Sequence, residues 1–403
     1  MLNADIAIVG GGLAGSTAAA MLGRLGFSAV LIDPHRAYPP DFRCEKLDTS
    51  QVRLLQRTGL GDVVLPVATC DEEVCVVRFG RLVERRPNAQ YGIFYDTLVN
   101  TVRAAIPLGT EFIHAKVAAM STGLDRQTLA LSNGEEISAR LIVVANGLNI
   151  GLRETLGITR EVVSAGHSIS IGFDLKPVGR PSFDFRALTY FPERPADCMA
   201  YLTLFPIGTT TRANLFVYRD MRDPWLRQLR ETPHETLLAL MPGLKKLAGN
   251  FEVTAPIKIR PVDLYLTRGH RQQGVVLVGD AFTTSCPAAG TGVNKVFTDV
   301  ERLCNIHIPR WLATAGMGAE KIAAFYDDPV KTACDKHSFA KAYRLRSLSI
   351  DPGLSWRARR WGRFVAHLGV GLARQARAMP FPLRWAGRER PTVQERVRAR
   401  SGI

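Results

Sequence analysis

The sequence predicts an α/β protein in which a three-layer domain is interleaved with a β-sheet domain and followed by a helical C-terminal extension. Three observations predict this fold. An apolar run at residues 6–9 is followed by a glycine-rich turn and an alanine-rich helix at 16–24. A strand at 274–278 ends in a second glycine-rich segment, and strand-like runs fill much of residues 161–265. Strands that alternate with helices indicate a mainly parallel sheet covered on both faces.

The turn after the first strand, residues 10–15, has the glycine spacing of a Rossmann-like nucleotide-binding loop. Such glycines permit a tight turn, a close approach of the backbone to a pyrophosphate, and close packing of the helix on the strand. The strand at 29–32 ends in Asp33, which can accept hydrogen bonds from an adenosine ribose. The sequence therefore predicts an adenine dinucleotide. The residues assigned to its phosphates are Gly10, Gly12, Leu13, Ala14 and Gly15.

The second glycine-rich segment, residues 279–294, begins at the carboxyl end of a strand, where open α/β sheets bind ligands. Gly279 and Asp280 open the segment, and Pro287 lies within it. Its last residues start a helix, whose free N–H groups and positive dipole end favour an electron-rich ligand edge. These helix-start residues are Gly290, Thr291, Gly292, Val293 and Asn294.

The two segments, in this order, resemble those of the p-hydroxybenzoate hydroxylase-like (class A) flavoprotein monooxygenase family over most of residues 1–300. The resemblance implies bound FAD, with Asp280 on the ribityl chain and Pro287 against the isoalloxazine ring. It also implies that backbone N–H groups of residues 290–294 face the N1 and O2 edge of the flavin. Arg43, which precedes a predicted helix at 51–60, matches a family arginine that contacts the cofactor.

A third family motif, Asp-Gly followed by arginine, is altered in this chain. The strand at 141–145 continues as Asn146-Gly147, and Arg153 is retained. Asparagine keeps the capacity for hydrogen bonds and loses the charge. Because the family associates this pair with pyrophosphate and nicotinamide-nucleotide contacts, FAD binding is expected and the choice between NADPH and NADH stays open. Thr283 stands where the family often has histidine.

The resemblance implies an FAD-dependent oxidoreductase that uses NAD(P)H and O2 to hydroxylate or epoxidise an apolar or aromatic small molecule through a flavin C4a-hydroperoxide. A catalytic base is not identifiable. Four side chains of the expected substrate sheet could orient a phenol, although an aromatic residue in a strand more often belongs to the core. These candidates are His167, Tyr190, Tyr201 and Tyr218. Lys46 and Lys295 lie near the expected cofactor, and solvated lysines are the default expectation.

Three alternatives stay open at this point. A flavin-dependent reductase of prenyl or polyene double bonds, similar to geranylgeranyl reductases, would share the fold and both segments. A flavin halogenase is disfavoured, because the Trp-x-Trp-x-Ile-Pro element is absent from the chain. A flavin-binding protein without catalytic activity would contain FAD that neither NADH nor NADPH reduces.

The predicted domains are discontinuous. Residues 1–73, 87–160 and 266–330 form the FAD-binding domain, residues 74–86 and 161–265 the substrate domain, and residues 331–403 a basic helical C-terminal region. Phe79-Gly80 and Asn133-Gly134 are expected to turn β-hairpins. The sequence also predicts a helix at 96–105, a strand at 168–175 and one helical stretch at 224–247.

The basic charge is concentrated in the C-terminal region. Residues 331–403 contain 17 Lys and Arg against 4 Asp and Glu, which accounts for +13 of the net charge of +15. A helix at 354–379 would have an apolar side and a basic side, so it either lies on an anionic membrane surface or packs its apolar side on the core. No nucleic-acid-binding motif accompanies the charge, so nucleic acid is not an expected partner.

The seven cysteines form no Cys-x-x-Cys pair and no zinc-type cluster with histidine, so neither a metal site nor a disulfide scaffold is expected. Cys286, beside the expected flavin edge, is interpreted as a small packing residue. The apolar N-terminal strand lacks a basic leader, and no apolar stretch has the length of a membrane span. The sequence therefore predicts a cytoplasmic enzyme, with peripheral contact to the inner face of a membrane as an open addition.

Overall fold

A computed structural model describes residues 1–87 and 89–378 of the chain, with side chains through residue 373. It confirms the α/β fold class, because a mainly parallel sheet, a second mainly antiparallel sheet and a helical C-terminal region are all present. The strands are β1 Leu2–Val9, β2 Ala29–Ile32, β3 Lys46–Leu47, β4 Thr69–Cys70, β5 Glu73–Arg78, β6 Arg81–Pro87, β7 Tyr91–Gly92, β8 Glu111–Ile113, β9 Val117–Ser121, β10 Gln127–Leu131, β11 Glu136–Val144, β12 Thr159–Pro177, β13 Ala187–Tyr190, β14 Met199–Ile207, β15 Thr210–Val217, β16 Phe251–Val253, β17 Lys258–Arg268 and β18 Val275–Leu277. The helices are α1 Leu13–Arg24, α2 Thr49–Arg57, α3 Gly61–Val64, α4 Tyr95–Ala104, α5 Gly151–Glu154, α6 Pro224–Glu231, α7 Pro233–Leu240, α8 Leu244–Ala248, α9 Gly292–Arg302, α10 Ile308–Leu312, α11 Ala319–Tyr326, α12 Pro329–Ile350 and α13 Leu354–Ala378.

The seven-stranded sheet has the order β8-β2-β1-β11-β10-β9, with β18 also paired to β11. Strands β8, β2, β1, β11 and β18 are parallel. The first half of β11 pairs with β10 and its second half with β18. The carboxyl ends of β1, β2, β11 and β18 therefore meet at one edge of the sheet, and the loops that follow them are neighbours in space.

Apolar side chains cover both faces of this sheet. One face packs against α1, α9, α10 and α11, and the other packs against the segment at 152–158. Helix α1 is buried from Leu13 to Leu22, which explains its many small residues. The three-layer arrangement predicted for this part of the chain is present.

The eight-stranded sheet has the order β16-β12-β15-β14-β13-β5-β6, with β17 also paired to β12. Its pairs are antiparallel except β13 with β5. The expected hairpins are found at Phe79-Gly80 and at Asn133-Gly134. One face of the sheet packs against α6, α7 and α8, and the other faces α12 and the segment at 286–289. Because β5 and β6 pair with this sheet, they lie beside the strands of residues 159–268; the domain boundaries themselves stay a prediction.

Two predicted elements differ from the structure. Residues 224–247 form three short helices because Pro233 starts α7 and Pro242 follows its end, and a proline interrupts helical hydrogen bonding. Strand β12 has 19 residues, far more than the predicted 168–175, and irregular pairing between Val162 and Ser168 bends it. Side chains no longer alternate between the two faces at such bulges. The first half of β12 therefore lacks the alternating pattern by which a strand is predicted from sequence.

Helix α12 packs between α9 and β14, and α13 packs against β6. Trp361 stacks on Phe79 with 5.0 Å between ring centroids, and His367 Nδ1 lies 2.9 Å from Glu84 Oε2. One side of α13 therefore packs on the hairpin. The sequence had left open whether this helix packs on the protein or lies on a membrane. Residues 379–403, the rest of the predicted C-terminal region, lie outside the described residues. Among residues 1–87 and 89–378, no helix combines the length and apolarity that crossing a membrane requires.

Candidate functional site

The first loop, residues 10–15, is a tight turn between β1 and α1. Gly10 has a φ of 103°, and a Cβ at this position would lie 2.7 Å from the carbonyl oxygen of Ala145. A Cβ on Gly15 would overlap the carbonyl oxygen of Gly10, so only glycine lets α1 approach β1 this closely. A Cβ on Gly12 would meet nothing nearer than 3.9 Å. Open space therefore faces the uncapped start of α1 at Leu13, where free N–H groups suit a pyrophosphate.

Asp33, at the end of β2, is tied to the first loop. Its carboxylate accepts hydrogen bonds from the backbone N–H of Gly11 at 2.7 Å and of His35 at 2.9 Å. Arg103, a buried residue of α4, lies 3.2 Å from the same carboxylate and donates from Nε to the carbonyl of Gly11 at 2.8 Å. Sequence reasoning missed Arg103, because nothing in its local sequence distinguishes it from a surface arginine of an amphipathic helix.

The second loop, residues 279–294, lies beside the first. A Cβ on Gly279 would be 3.6 Å from the Cβ of Ala14, and the Gly279 N–H donates to Asp299 Oδ2 at 2.9 Å. Arg43 Nη1 lies 3.1 Å from Asp280 Oδ2, so two predicted cofactor residues that are 237 positions apart meet. The pairing of β18 with β11 and of β11 with β1 produces this convergence.

The start of α9 is held in place by side chains from α2 and α12. Gln51 Nε2 donates to the carbonyl of Gly290 at 3.0 Å and to Asn294 Oδ1 at 3.1 Å. The hydroxyls of Thr291 and Ser338 are 2.6 Å apart. Since these bonds fix the turn and the helix start together, the backbone N–H groups of residues 290–294 keep one orientation. Gln51 was not predicted as a site residue.

The remaining residues of the second loop occupy different surroundings. Pro287 opens the short helical turn Pro287–Ala289, and Gly292 begins α9. A Cβ on Gly290 would meet nothing within 4 Å, and one on Gly292 only Ser285, at 3.9 Å. Open space is therefore present above the helix start, whereas Val293 packs among residues of α1, α2 and α4.

Asn146 and Gly147 follow β11 at the same edge of the sheet. The side-chain oxygen of Asn146 is buried and has no hydrogen-bond partner among the described residues. Buried polar atoms are rarely left unpaired, so this one points to a ligand group. Arg153, fully buried, donates to the carbonyls of Gly147, Asn149 and Ala281 and so joins this loop to the second loop.

The structure thus brings together a phosphate-type loop, a carboxylate at each of two strand ends and a free helix start. A model of the FAD-binding domain family matches residues 3–308. The chain belongs to this family. The open space at Gly12 and above Gly290, together with the unpaired oxygen of Asn146, fits FAD as the resident cofactor.

The chain is similar to two hydroxylases over most of its length. It is 28% identical over 326 residues to a 3-demethoxyubiquinol 3-hydroxylase of Escherichia coli, covering 75% of this chain and 79% of that protein. It is 27% identical over 342 residues to a ubiquinone hydroxylase of Rhodospirillum rubrum, covering 80% and 77%. A p-nitrophenol 4-monooxygenase from Pseudomonas putida has a similar fold, with a TM-score of 0.72, 16% identity, and coverage of 92% and 95%.

These relatives confirm the predicted FAD-dependent monooxygenase over the reductase, the halogenase and the non-catalytic alternatives. The protein is an oxidoreductase, its cofactor is FAD, and its substrates are O2 and a small molecule. The resemblance to class A flavoprotein monooxygenases is confirmed as well.

Tyr201 is the candidate substrate residue nearest the second loop. Its hydroxyl donates to the carbonyl of Ala288 at 2.6 Å, and its ring contacts Phe216 and Phe191 with centroids 5.0 and 5.8 Å away. Burial raises the pKa of the Tyr201 phenol, so it stays a neutral donor. The side chain therefore ties the eight-stranded sheet to the residue that follows Pro287.

His167 and Tyr218 lie together behind the second loop, with ring centroids 6.2 Å apart. His167 Nδ1 is 3.0 Å from the hydroxyl of Ser164. Burial, helped by repulsion from Arg346, lowers the pKa of His167 to about 4, so the imidazole is neutral at neutral pH. Burial raises the pKa of the Tyr218 phenol.

The structure does not bring Tyr190 to the site. Its ring belongs to the core between the eight-stranded sheet and α6, α7 and α8, and its hydroxyl donates to Glu193. Successive strand residues alternate between faces, and the register of β13 turns Tyr190 away from the second loop. Cys286 is fully buried, 3.5 Å from the Ser168 hydroxyl, and burial raises the pKa of its thiol; it packs as expected.

Neither lysine near the loops is a solvated surface group. Burial lowers the pKa of Lys46 to about 8, and its ammonium lies 5.0 Å from the ring centroid of Phe205. Lys295 is buried and donates to the Thr283 hydroxyl at 2.6 Å and to Asp335. The default expectation of solvation is therefore wrong for both, because each is enclosed by strands or helices that lie far away in sequence.

A buried ion cluster joins the segment around Arg43 to the eight-stranded sheet. Arg212 of β15 donates to both carboxylate oxygens of Glu45, at 2.7 and 2.9 Å, and to Asp174 at 2.8 Å. Arg260 of β17 donates to Asp41 at 2.9 Å. These contacts fix the position of residues 41–45 over the second loop, and the sequence pattern gave no sign of them.

Proposed function

We propose that the protein oxidises NADPH or NADH and hydroxylates or epoxidises an apolar, aromatic-sized molecule held between the eight-stranded sheet and the second loop. The observation that carries this proposal is the contact of Tyr201 with Ala288, beside Pro287, with Phe191 and Phe216 around it. Both ubiquinone-type hydroxylases named above have ring compounds in their names, which supports an aromatic or quinoid substrate here.

The proposed cofactor contacts are those that the glycine motif and the family resemblance imply, and the proximity of the two loops supports them. Residues 10–15 hold the pyrophosphate, Asp33 the ribose, and Asp280 with Arg43 the ribityl chain. Bound FAD supplies electron transfer and O2 activation. The N–H group of Gly290 is bonded to the carbonyl of Pro287, so the N–H groups of residues 291–294, held in place by Gln51, would stabilise negative charge at the N1 and O2 edge. Asn146 and Gly147 complete the pyrophosphate side.

The substrate contacts are proposed to be mainly apolar. Aromatic side chains exclude water from the ring that reacts, and the neutral Tyr201 hydroxyl keeps the second loop at a fixed distance from the sheet. The neutral side chains of His167 and Tyr218 pack against each other, and Ser168, next to His167, lies 3.5 Å from Cys286. We propose that these groups hold the second loop in position and take no part in proton transfer.

Anaerobic mixing of the purified yellow protein with NADPH or NADH, with and without aromatic or isoprenoid compounds, tests this function. A compound of the correct class should accelerate bleaching of the flavin absorbance, and admission of air should restore the colour and oxygenate the compound. Asp280→Ala should remove the flavin, whereas Asp263→Ala, outside the second loop, should keep it. A flavin that neither nucleotide reduces with any compound contradicts the proposal.

We further propose that α13 binds an anionic membrane surface from the cytoplasmic side. Apolar side chains of α13 outside its contact with the hairpin have exposed fractions of 62% at Val365, 37% at Leu368 and 58% at Leu372. The surrounding region carries a net charge of +13. An apolar stripe on a basic helix binds anionic bilayers by combining both attractions.

Val365→Asp combined with Leu372→Asp should therefore reduce cosedimentation with phosphatidylglycerol vesicles by about tenfold or more, without loss of FAD absorbance. Leu108→Asp, at a fully exposed leucine elsewhere, is the matched control and should bind vesicles as the wild type does. Equal binding by all three proteins would rule out α13 as the membrane contact.

A further inference from the structure

Helix α12 lies outside the part of the chain that matches the FAD-binding family, yet its side chains are linked to the second loop. The family match ends at residue 308, and α12 spans Pro329–Ile350. Between α12 and α9, the helix that follows the second loop, two lysines and two aspartates form an ion network. Its members are Lys295 and Asp299 on α9 and Lys331 and Asp335 on α12.

One line of contacts runs from α12 to the start of the second loop. Lys331 Nζ donates to Asp299 Oδ1 at 2.8 Å, and Asp299 Oδ2 accepts from the backbone N–H of Gly279 at 2.9 Å. The side chains of Lys331 and Asp299 are each only 1% exposed. Gly279 directly precedes Asp280, the residue proposed to hold the ribityl chain. Lys331 therefore balances the charge of the carboxylate that fixes the backbone beside Asp280.

A second line of contacts reaches the middle of the loop. Lys295 is buried and donates to the hydroxyl of Thr283 at 2.6 Å and to the carboxylate of Asp335. Asp335 Oδ2 also accepts from Lys331 Nζ at 3.0 Å. Because Asp335 is shared by both lysines, the two lines of contacts form one network centred on α12.

An uncharged contact joins α12 to the end of the same loop. The hydroxyl oxygens of Thr291 and Ser338 are 2.6 Å apart, and Ser338 is buried. Thr291 directly precedes α9, whose first N–H groups are proposed to face the flavin. The start, the middle and the end of the second loop are therefore each linked to α12.

Stability alone does not account for the ion network. Buried ion pairs contribute little to stability in comparison with well-packed apolar residues of similar volume. Burial favours the neutral form of Lys331, but Asp299 and Asp335 outweigh it and raise the pKa of the ammonium, so it stays charged. Without Lys331, the buried carboxylate of Asp299 would be drawn towards Lys295, the remaining ammonium, and would release the N–H of Gly279.

We propose that Lys331 and Ser338 are positioning residues of the FAD site. Lys331 acts on the start of the second loop through Asp299, and Ser338 acts on its end. The affinity for FAD and the surroundings of the flavin ring therefore depend on α12, beyond the family match. A ligand binds more tightly when its contacts are held in the bound geometry beforehand. This inference rests on the proposed function, because it concerns the cofactor contacts of residues 279–294.

Titration of the full-length apoprotein with FAD tests the inference, and visible circular dichroism reports the surroundings of the bound flavin. Lys331→Met should weaken FAD binding by about tenfold or more and change the dichroism. Ser338→Ala removes one hydroxyl and leaves every charge paired, so it should weaken binding by about threefold to tenfold. Adding Asp299→Asn to Lys331→Met should restore most of the affinity, because asparagine still accepts from the N–H of Gly279 and needs no cation.

Leu229→Ala is the matched control for lost stability, because it opens a cavity in the core beneath α6, away from the second loop. It should lower the temperature of thermal unfolding and leave both flavin measurements unchanged. Unchanged FAD affinity in Ser338→Ala and Lys331→Met overturns the inference, as does an equal loss in Leu229→Ala. Failure of Asp299→Asn to restore binding overturns the action of Lys331 through Asp299. Should Lys331→Met not fold, Ser338→Ala decides the outcome.

The titration contains neither a nicotinamide nucleotide nor a substrate, so its result is independent of turnover. A wild type that binds FAD and oxygenates no compound contradicts the proposed function and leaves this comparison readable. Variants that bind FAD as the wild type does overturn this inference and leave the proposed monooxygenase standing.

Discussion

Buried arginines hold the motifs of this protein in place. Arg103 joins Asp33 to Gly11, and Arg153 joins the loop after β11 to Ala281. Both guanidinium groups are buried and donate to backbone carbonyls. Because a planar guanidinium has five donors in a fixed arrangement, one arginine can set the spacing of two loops.

His167 gives the molecule a measurable dependence on pH. Burial lowers its pKa to about 4 from an ordinary value of 6.5. Below pH 6.5 the unfolded chain therefore takes up a proton on this residue that the folded protein does not accept until about pH 4. The free energy of unfolding therefore decreases as the pH falls from 6.5 to about 4, and the contribution of the neutral imidazole is fully present at neutral pH.

His167→Gln should consequently lose less stability than the wild type when the pH is lowered from neutral to about 5. Urea unfolding at the two pH values, followed by tryptophan fluorescence, measures the difference. His114→Gln removes an exposed histidine and should follow the wild type. If the wild type and both variants showed the same pH dependence, the His167 imidazole would take up its proton in the folded protein within this pH range, and the prediction would be wrong.

Helices α12 and α13 attach the C-terminal region to two different parts of the molecule. In α12, Lys331 and Asp335 are joined to Asp299 and Lys295 of α9, and Asp299 also accepts from the N–H of Gly279. Helix α13 instead lies on the β5–β6 hairpin, where Gly371 allows its backbone to approach Val83. The sequence left the role of α13 open because its three glycines weaken a helix.

Gly371→Ala should detach part of α13 from the hairpin, because the added Cβ would overlap the carbonyl oxygen of Val83. We expect a destabilisation of this contact by about 1–3 kcal/mol, seen as faster hydrogen exchange of the α13 amides. Gly369→Ala, where an added Cβ meets nothing within 4 Å, is the matched control and should slow exchange, since alanine favours the helix by about 1 kcal/mol. Identical exchange in both variants would argue against close packing of α13.

Buried charges join the segment around Arg43 to the eight-stranded sheet. Arg212, Glu45 and Asp174 form a cluster between them in which the arginine and the glutamate are almost fully buried. A buried ion pair is a weak source of stability, but loss of one partner leaves an uncompensated charge in a dry place. This cluster therefore fixes how the segment around Arg43 sits over the second loop.

Arg212→Met should destabilise the protein by about 3 kcal/mol and weaken FAD binding, because Glu45 would be buried without its partner. Thermal unfolding and titration of the apoprotein with FAD measure the two effects. Arg268→Met breaks an exposed pair with Glu161 and should cost less than about 1 kcal/mol. Equal effects of the two substitutions would contradict a structural role for the cluster.

The sequence by itself determined the parallel sheet, both glycine-rich loops and the two hairpins, because each of these depends on local residue patterns with fixed spacing. The FAD-dependent chemistry followed from the family resemblance that the two loops carry. Only the tertiary structure decided which side of β13 and β14 faces the second loop, and that Tyr201 contacts this loop whereas Tyr190 does not. Those outcomes depend on strand register and on contacts between residues far apart in the chain, and a shift of one residue exchanges the faces of a strand.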